Sequence, residues 1–147
     1  MDFKTNEIWE GAREKGIRMD HKNRLLSDFK IKAILESARE LIGDKRKWCK
    51  GLGALDADGE LCDAASARAR SWCALGAVKA TLGIDFGTDY GMDACMLAAH
   101  ILDKHTPEGS ILEFNDNETV EHSNVITVFD GAIESLDVIE RGMNNGK

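Results

Sequence analysis

Apolar residues recur at three- and four-residue steps in several stretches of the chain, and these predict its framework. In 29–42, Ile31, Ile34, Leu35, Ala38, Leu41 and Ile42 form one stripe, while Lys30, Lys32, Arg39 and Glu40 fall outside it. Ser27 or Asp28 can cap the start of this helix, and Gly43 ends it. From about His122 to Glu140, Val125, Ile126, Phe129, Ala132, Ile133, Leu136 and Ile139 make a second stripe. A helix capped by Asp89 and running to Lys104 turns Ala94, Cys95, Ala98, Ile101 and Leu102 inward, before Thr106-Pro107-Glu108-Gly109 breaks it. Between these, Gly51–Leu55 and Glu60-Leu61-Cys62 read as two short strands around an Asp56-Ala57-Asp58-Gly59 turn. Ile111–Phe114 reads as a short extended piece, and Asn115-Asp116 as a turn. Residues 1–26 are weakly patterned. Thr5 can cap and Gly16 can stop a short helix bearing Ile8, Trp9 and Ala12, so this segment is an arm or an added helix.

The remaining stretch, 64–82, is rich in helix formers and predicts a central helix from Ser66 to Leu82. At 100° per residue, Ala69, Cys73, Gly76, Ala77 and Ala80 share one arc, and every one is small. Leu75, Val78 and Leu82 lie opposite, with Trp72 at the margin. A helix that is small on one side and large on the other packs from both directions, with the small side admitting a close neighbour. The expected architecture is therefore mainly α (α+β), a compact bundle of about four to five helices with a small β-hairpin. It spans 27–141, with residues 142–147 as a flexible tail.

Composition narrows the function. At 147 residues the chain fits one domain, and 43% hydrophobic residues supply a core. Nineteen Lys and Arg against 26 Asp and Glu leave a net charge of −7, which argues against a nucleic-acid partner and suits docking on another protein. A homodimer is compatible with the same composition. Cys49, Cys62, Cys73 and Cys95 include no Cys-x-x-Cys pair, and no run approaches the roughly 20 apolar residues of a membrane span. Reduced thiols and the absence of a signal-peptide run predict a cytoplasmic protein without a membrane partner.

Candidate chemistry is sparse. Cys73 could act as a nucleophile with His122 as base and Asp116 orienting the imidazole, Asn115 being the alternative orienter. That requires a lowered thiol pKa, which a helix beginning at Ser71 would favour and one beginning at Ser66 would not. The earlier start is the expectation, so Cys73 is read as packing. His100 and His105 stand five apart, about 140° around a helix, and do not share a metal-binding face. Asp56–Gly59 resembles part of a calcium loop, but Ala54 and Ala65 occupy ligand positions, and it is read as a turn. No metal and no cofactor is expected. Trp48, Trp72, Phe114 and Asn115 could line a binding pocket between the hairpin and the central helix, although core is the commoner place for such aromatics. The cluster Lys45-Arg46-Lys47-Trp48-Cys49-Lys50 is read as a solvated helix exit.

The order Trp48 with a Gly-Ala stretch, Asp-Ala-Asp-Gly, Trp72-Cys73-Ala74-Leu75-Gly76-Ala77, an aromatic before Asn115-Asp116, and then His122 resembles a family of small uncharacterised bacterial and phage proteins, a domain of unknown function. The resemblance covers about 29–141. Members show Trp before Asn-Asp and Thr before the His, where this chain has Phe114 and Glu121. It implies a compact, mainly helical fold in a bacterial cell or phage-infected host, and it supplies no activity. The leading expectation is a non-enzymatic interaction protein acting through an acidic surface, an accessory factor in the class of inhibitors of host or defence machinery. The alternative is a thiol-dependent hydrolase or transferase using Cys73 and His122.

Overall fold

The computed structural model describes residues 11–14, 30–51, 53–83 and 87–145, with the side chains of residue 30 and of 138–145 left aside. The fold is mainly α with a small antiparallel sheet. Helix α1 (Lys30–Leu41) buries Ile31, Leu35 and Ala38, as its stripe requires. It lies antiparallel to the long helix α5 (His122–Asn145), which buries Val125, Phe129, Ala132 and Leu136. Two ion pairs mark that direction: Lys32 meets Asp137 at 2.5 Å, and Arg39 meets Asp130 at 2.5 Å. Both partners advance by seven residues (39 − 32 and 137 − 130), in opposite senses along the two helices. With the Arg39–Asp130 pair exposed and the Lys32–Asp137 pair only half-buried, each stabilises by about 1 kcal/mol or less, so the apolar stripes hold the helices together.

The sheet is β2-β1-β3, with β1 (Ala54–Asp56) at its centre, β2 (Leu61–Cys62) on one side and β3 (Ala69–Trp72) on the other. Both pairings are antiparallel. The turn after β1 closes as its sequence demands. Asp56 Oδ1 accepts from the amides of Asp58 (2.9 Å) and Glu60 (3.0 Å), while Gly59 takes the left-handed φ of 79° that β-carbon-bearing residues rarely adopt.

Strand β3 corrects the sequence reading. Residues 69–72 belong to the sheet, and helix α2 runs only from Ala74 to Leu82. Local propensity loses here to pairing at a distance: β3 zips onto β1, and the Cys49 amide donates to the Trp72 carbonyl at 3.0 Å. The small arc is therefore divided, with Ala69 on a strand and Cys73 as the residue that caps α2. The close approach itself is real. A Cβ on Gly76 would stand 2.0 Å from the Gly53 carbonyl oxygen, so only glycine fits between α2 and the sheet.

Two smaller corrections share a cause, a capping side chain that starts a helix. Helix α3 (Asp89–Asp103) is capped by Thr88, whose Oγ1 accepts from the Gly91 amide at 2.9 Å; Asp89 is its first residue. Residues 111–114 are helical, within α4 (Ile111–Asp116), because the Ser110 hydroxyl accepts from the Glu113 amide at 3.2 Å. Asn115 and Asp116 accordingly form the last turn of that helix. Residues 142–145, expected to belong to a tail, continue α5. The proposed caps Ser27 and Asp28, and most of the arm at 1–26, lie outside the described residues; 11–14 are helical, and Ala12 is buried.

The candidate interaction site

Asn115 organises the middle of the molecule. It sits at the end of α4, only 2% exposed, and every hydrogen-bonding position of its amide is occupied. Oδ1 accepts from the Trp48 indole N–H at 2.8 Å and from the Ala74 amide at 3.0 Å. Nδ2 donates to the Cys49 carbonyl at 3.2 Å and to Asp116 Oδ1 at 3.3 Å. Asp116 Oδ1 also accepts from the Gly51 amide at 2.8 Å, and the Lys50 ammonium donates to the Asn117 carbonyl. Ala74 is the first residue of α2, where amides lack an intrahelical acceptor. Asn115 thus caps α2 from another helix, and Cys73 caps the same end from within, its Sγ accepting from the Gly76 amide at 3.2 Å. Sequence reasoning missed this role because a capping bond across 41 residues leaves no local trace.

The residues of the postulated triad are dispersed among other tasks. Cys73 is 2% exposed. His122 Nε2 lies 2.6 Å from the Ile42 carbonyl, and since a carbonyl only accepts, that nitrogen carries the hydrogen. The imidazole tilts against Trp48, ring centroids 6.0 Å apart. Asp116 is engaged by Gly51 and Asn115. Among the described residues no hydrogen bond joins His122 to Cys73 or to Asp116. The helix, however, starts at Ala74, later than either start weighed from the sequence, and leaves Cys73 as its N-cap, at the end where a thiol nucleophile would stand. Burial pushes the Cys49 and Cys95 thiols up, with a Ser71 hydrogen bond opposing the shift at Cys49. No group of three or more His, Cys, Asp or Glu among the described residues is placed to hold a metal ion.

Of the other binding candidates, Trp48 gives its indole N–H to Asn115, whose amide is fully engaged within the fold, and the Trp72 indole N–H donates to the Ala64 carbonyl at 2.8 Å. Trp72 borders a shallow groove with Leu41 and Thr81. Phe114 faces a different one. That groove, about 570 Å³, runs along α4 between the loops that enter and leave it. Glu108, Glu113 and Asp116 line it together with Leu112, Phe114 and Val120; no Lys, Arg or His is among its described lining residues, and the Lys50 ammonium reaches the carbonyl of Asn117, which also lines it. A second cleft of about 360 Å³ lies between β2 and the start of α2, with Leu61, Cys62, Cys73, Leu75 and Leu112 around it.

The family model described as a family of unknown function, DUF6197, matches residues 27–135. The chain belongs to DUF6197. No curated protein and no solved structure matches it. The DUF6197 match spans α1 through most of α5, and so takes in the Trp48–Asn115–Ala74 junction and both grooves. No helix among the described residues is long and apolar enough to cross a membrane.

Proposed function

We propose that this DUF6197 member is a non-enzymatic binding protein that receives a cationic segment of another protein in the groove along α4. The observation that carries the reading is the lining of that groove: three carboxylates among apolar side chains, with no cation among its described lining residues. The flanking chain reinforces it. Glu108, Glu113, Asp116, Glu118 and Glu121 stand between Pro107 and Glu121 without a single basic residue. Carboxylates gathered on one concave surface attract a basic partner and raise its rate of encounter, an effect that salt screens within about 8 Å at physiological ionic strength. Within this reading the protein is an accessory factor in the cytoplasm of a bacterial cell or phage-infected host, and an inhibitor of host or defence machinery falls in the same class.

The test is capture from lysate by the immobilised protein, run beside the variant E108Q/E113Q. The reading expects a stoichiometric partner bearing a Lys- or Arg-rich segment, lost from the variant and weakened as salt rises. Equal capture by both proteins, or no partner at all, refutes it. A thiol-dependent hydrolase or transferase stands second, supported by the position of Cys73 at the head of α2 beside a cleft. It stands second because His122 is held by Ile42.

A further inference from the structure

Two grooves meet at Leu112, which borders both. Leu112 is 46% exposed, and Leu61, on the rim of the second cleft, is 64% exposed. Single exposed leucines are ordinary on protein surfaces, but two on the rim of one cleft form an apolar slot that water fills at a cost. Cys62 and Leu75 extend its lining. Asp63 and Lys79 border it with opposite signs, so the slot itself selects by shape and apolarity rather than by charge.

We infer that the slot takes an apolar anchor side chain from the same partner segment whose cationic residues lie along α4. This rests on the binding reading above and specifies the ligand: a segment with one large apolar residue adjoining a block of Lys or Arg. Continuity through Leu112 argues for one occupant spanning both grooves, and the carboxylates of the first argue for cations beside the anchor. A second copy of this chain is a poor occupant: its net charge is −7, and in its one Lys/Arg block beside an aromatic, Lys45–Trp48, the Trp48 side chain is tied to Asn115 within the fold. Anchors in pockets beside a polar, charged rim are where binding energy concentrates in interfaces generally.

Fluorescence anisotropy with synthetic peptides tests the inference. One peptide carries a lysine block with a phenylalanine placed at successive neighbouring positions; a second replaces the phenylalanine with alanine. The best phenylalanine peptide should bind roughly tenfold tighter or more than the alanine peptide, the gain expected for burying one large apolar side chain. It should also protect the half-buried Cys62 from alkylation, mapped by mass spectrometry. L61S should remove the phenylalanine advantage while leaving the alanine peptide's affinity unchanged, and E108Q/E113Q should weaken both. Equal affinity for the two peptides, an unprotected Cys62, or indifference to L61S overturns the anchor and leaves the cationic groove standing. Failure of both lysine peptides to bind overturns both readings. A dimer in sedimentation that L61S dissolves overturns the anchor in favour of a second copy.

Discussion

Replacing Gly76 with alanine sets two effects of opposite sign against each other. In an exposed helix interior the change stabilises by about 1 kcal/mol, because alanine loses less backbone entropy. Here the new Cβ would meet the Gly53 carbonyl oxygen at 2.0 Å and its carbon at 2.8 Å, where ordinary contact begins near 3.4 Å. The obstacle is backbone, so relief requires α2 and the sheet to part by more than an ångström. That movement also strains the bond from the Cys73 amide to the same carbonyl, 3.0 Å long. Overpacking at the upper end of its usual range costs about 3 kcal/mol, and a weakened hydrogen bond about 1. Set against the helical gain, the net loss is about 3 kcal/mol. With a urea dependence of about 2 kcal/mol per molar, the midpoint should fall by roughly 1.5 M. The assay is equilibrium urea unfolding followed by tryptophan fluorescence, with G131A as comparison. There the nearest atom is His105 Nδ1 at 3.0 Å, on an exposed side chain that can swing aside, so the change should stay within about 1 kcal/mol. A G76A protein as stable as the parent would refute the reasoning.

Asn115→Ala should cost about 2–4 kcal/mol in the same assay, because it leaves the Ala74 amide and the Trp48 indole without their acceptor. An unchanged midpoint would show that water or another group replaces it freely. The Asp44 carboxyl, hydrogen-bonded by Arg46, is lowered to about 2 from 3.8, so its contribution is complete above pH 3.8 and is lost as pH falls toward 2. Carboxyl-detected NMR titration should find that midpoint, and D44N should abolish the dependence; a midpoint near 3.8 would contradict the pairing. Iodoacetamide should label Cys62 in the native protein well before Cys73, whose modification should follow unfolding and be indifferent to His122→Gln. Rapid Cys73 labelling that slows in the His122 variant would restore the thiol reading.

The long helices were legible because their information is local. The stripes Ile31–Ile42 and Val125–Leu136 repeat with helical period, and both face the core. The hairpin was legible for the same reason, in the Asp56–Gly59 turn. Strand β3 was not. Ala64 to Arg70 reads as helix at every position, and what makes 69–72 a strand is pairing with β1 and contact with Cys49, neither visible within the segment. Helix α4 was readable but missed: Ser110 with Glu113 three residues on is a helix-start signature. At the site, Phe114 and Asp116 were named, and both line the acidic groove. Glu108, Glu113, Leu61 and Leu112 were not, since only the fold gathers 61 and 107–120 around shared surfaces.

The Trp72–Ala77 string now has a job for each residue. Trp72 ends β3 and ties to Ala64; Cys73 and, from afar, Asn115 cap α2 at Gly76 and Ala74. Leu75 reaches the apolar cleft, Gly76 accepts the Gly53 backbone, and Ala77 is fully buried. The string is a strand-to-helix junction, and Asn115 joins it to the end of α4. Since α4 also carries Leu112, Glu113 and Asp116, the junction sets where the groove lies without touching what fills it. Stability and binding should therefore separate by position. Changes at Gly76 or Asn115 should lower the unfolding midpoint first, whereas changes at Glu108, Glu113 or Leu61 should alter recognition in a protein that still folds.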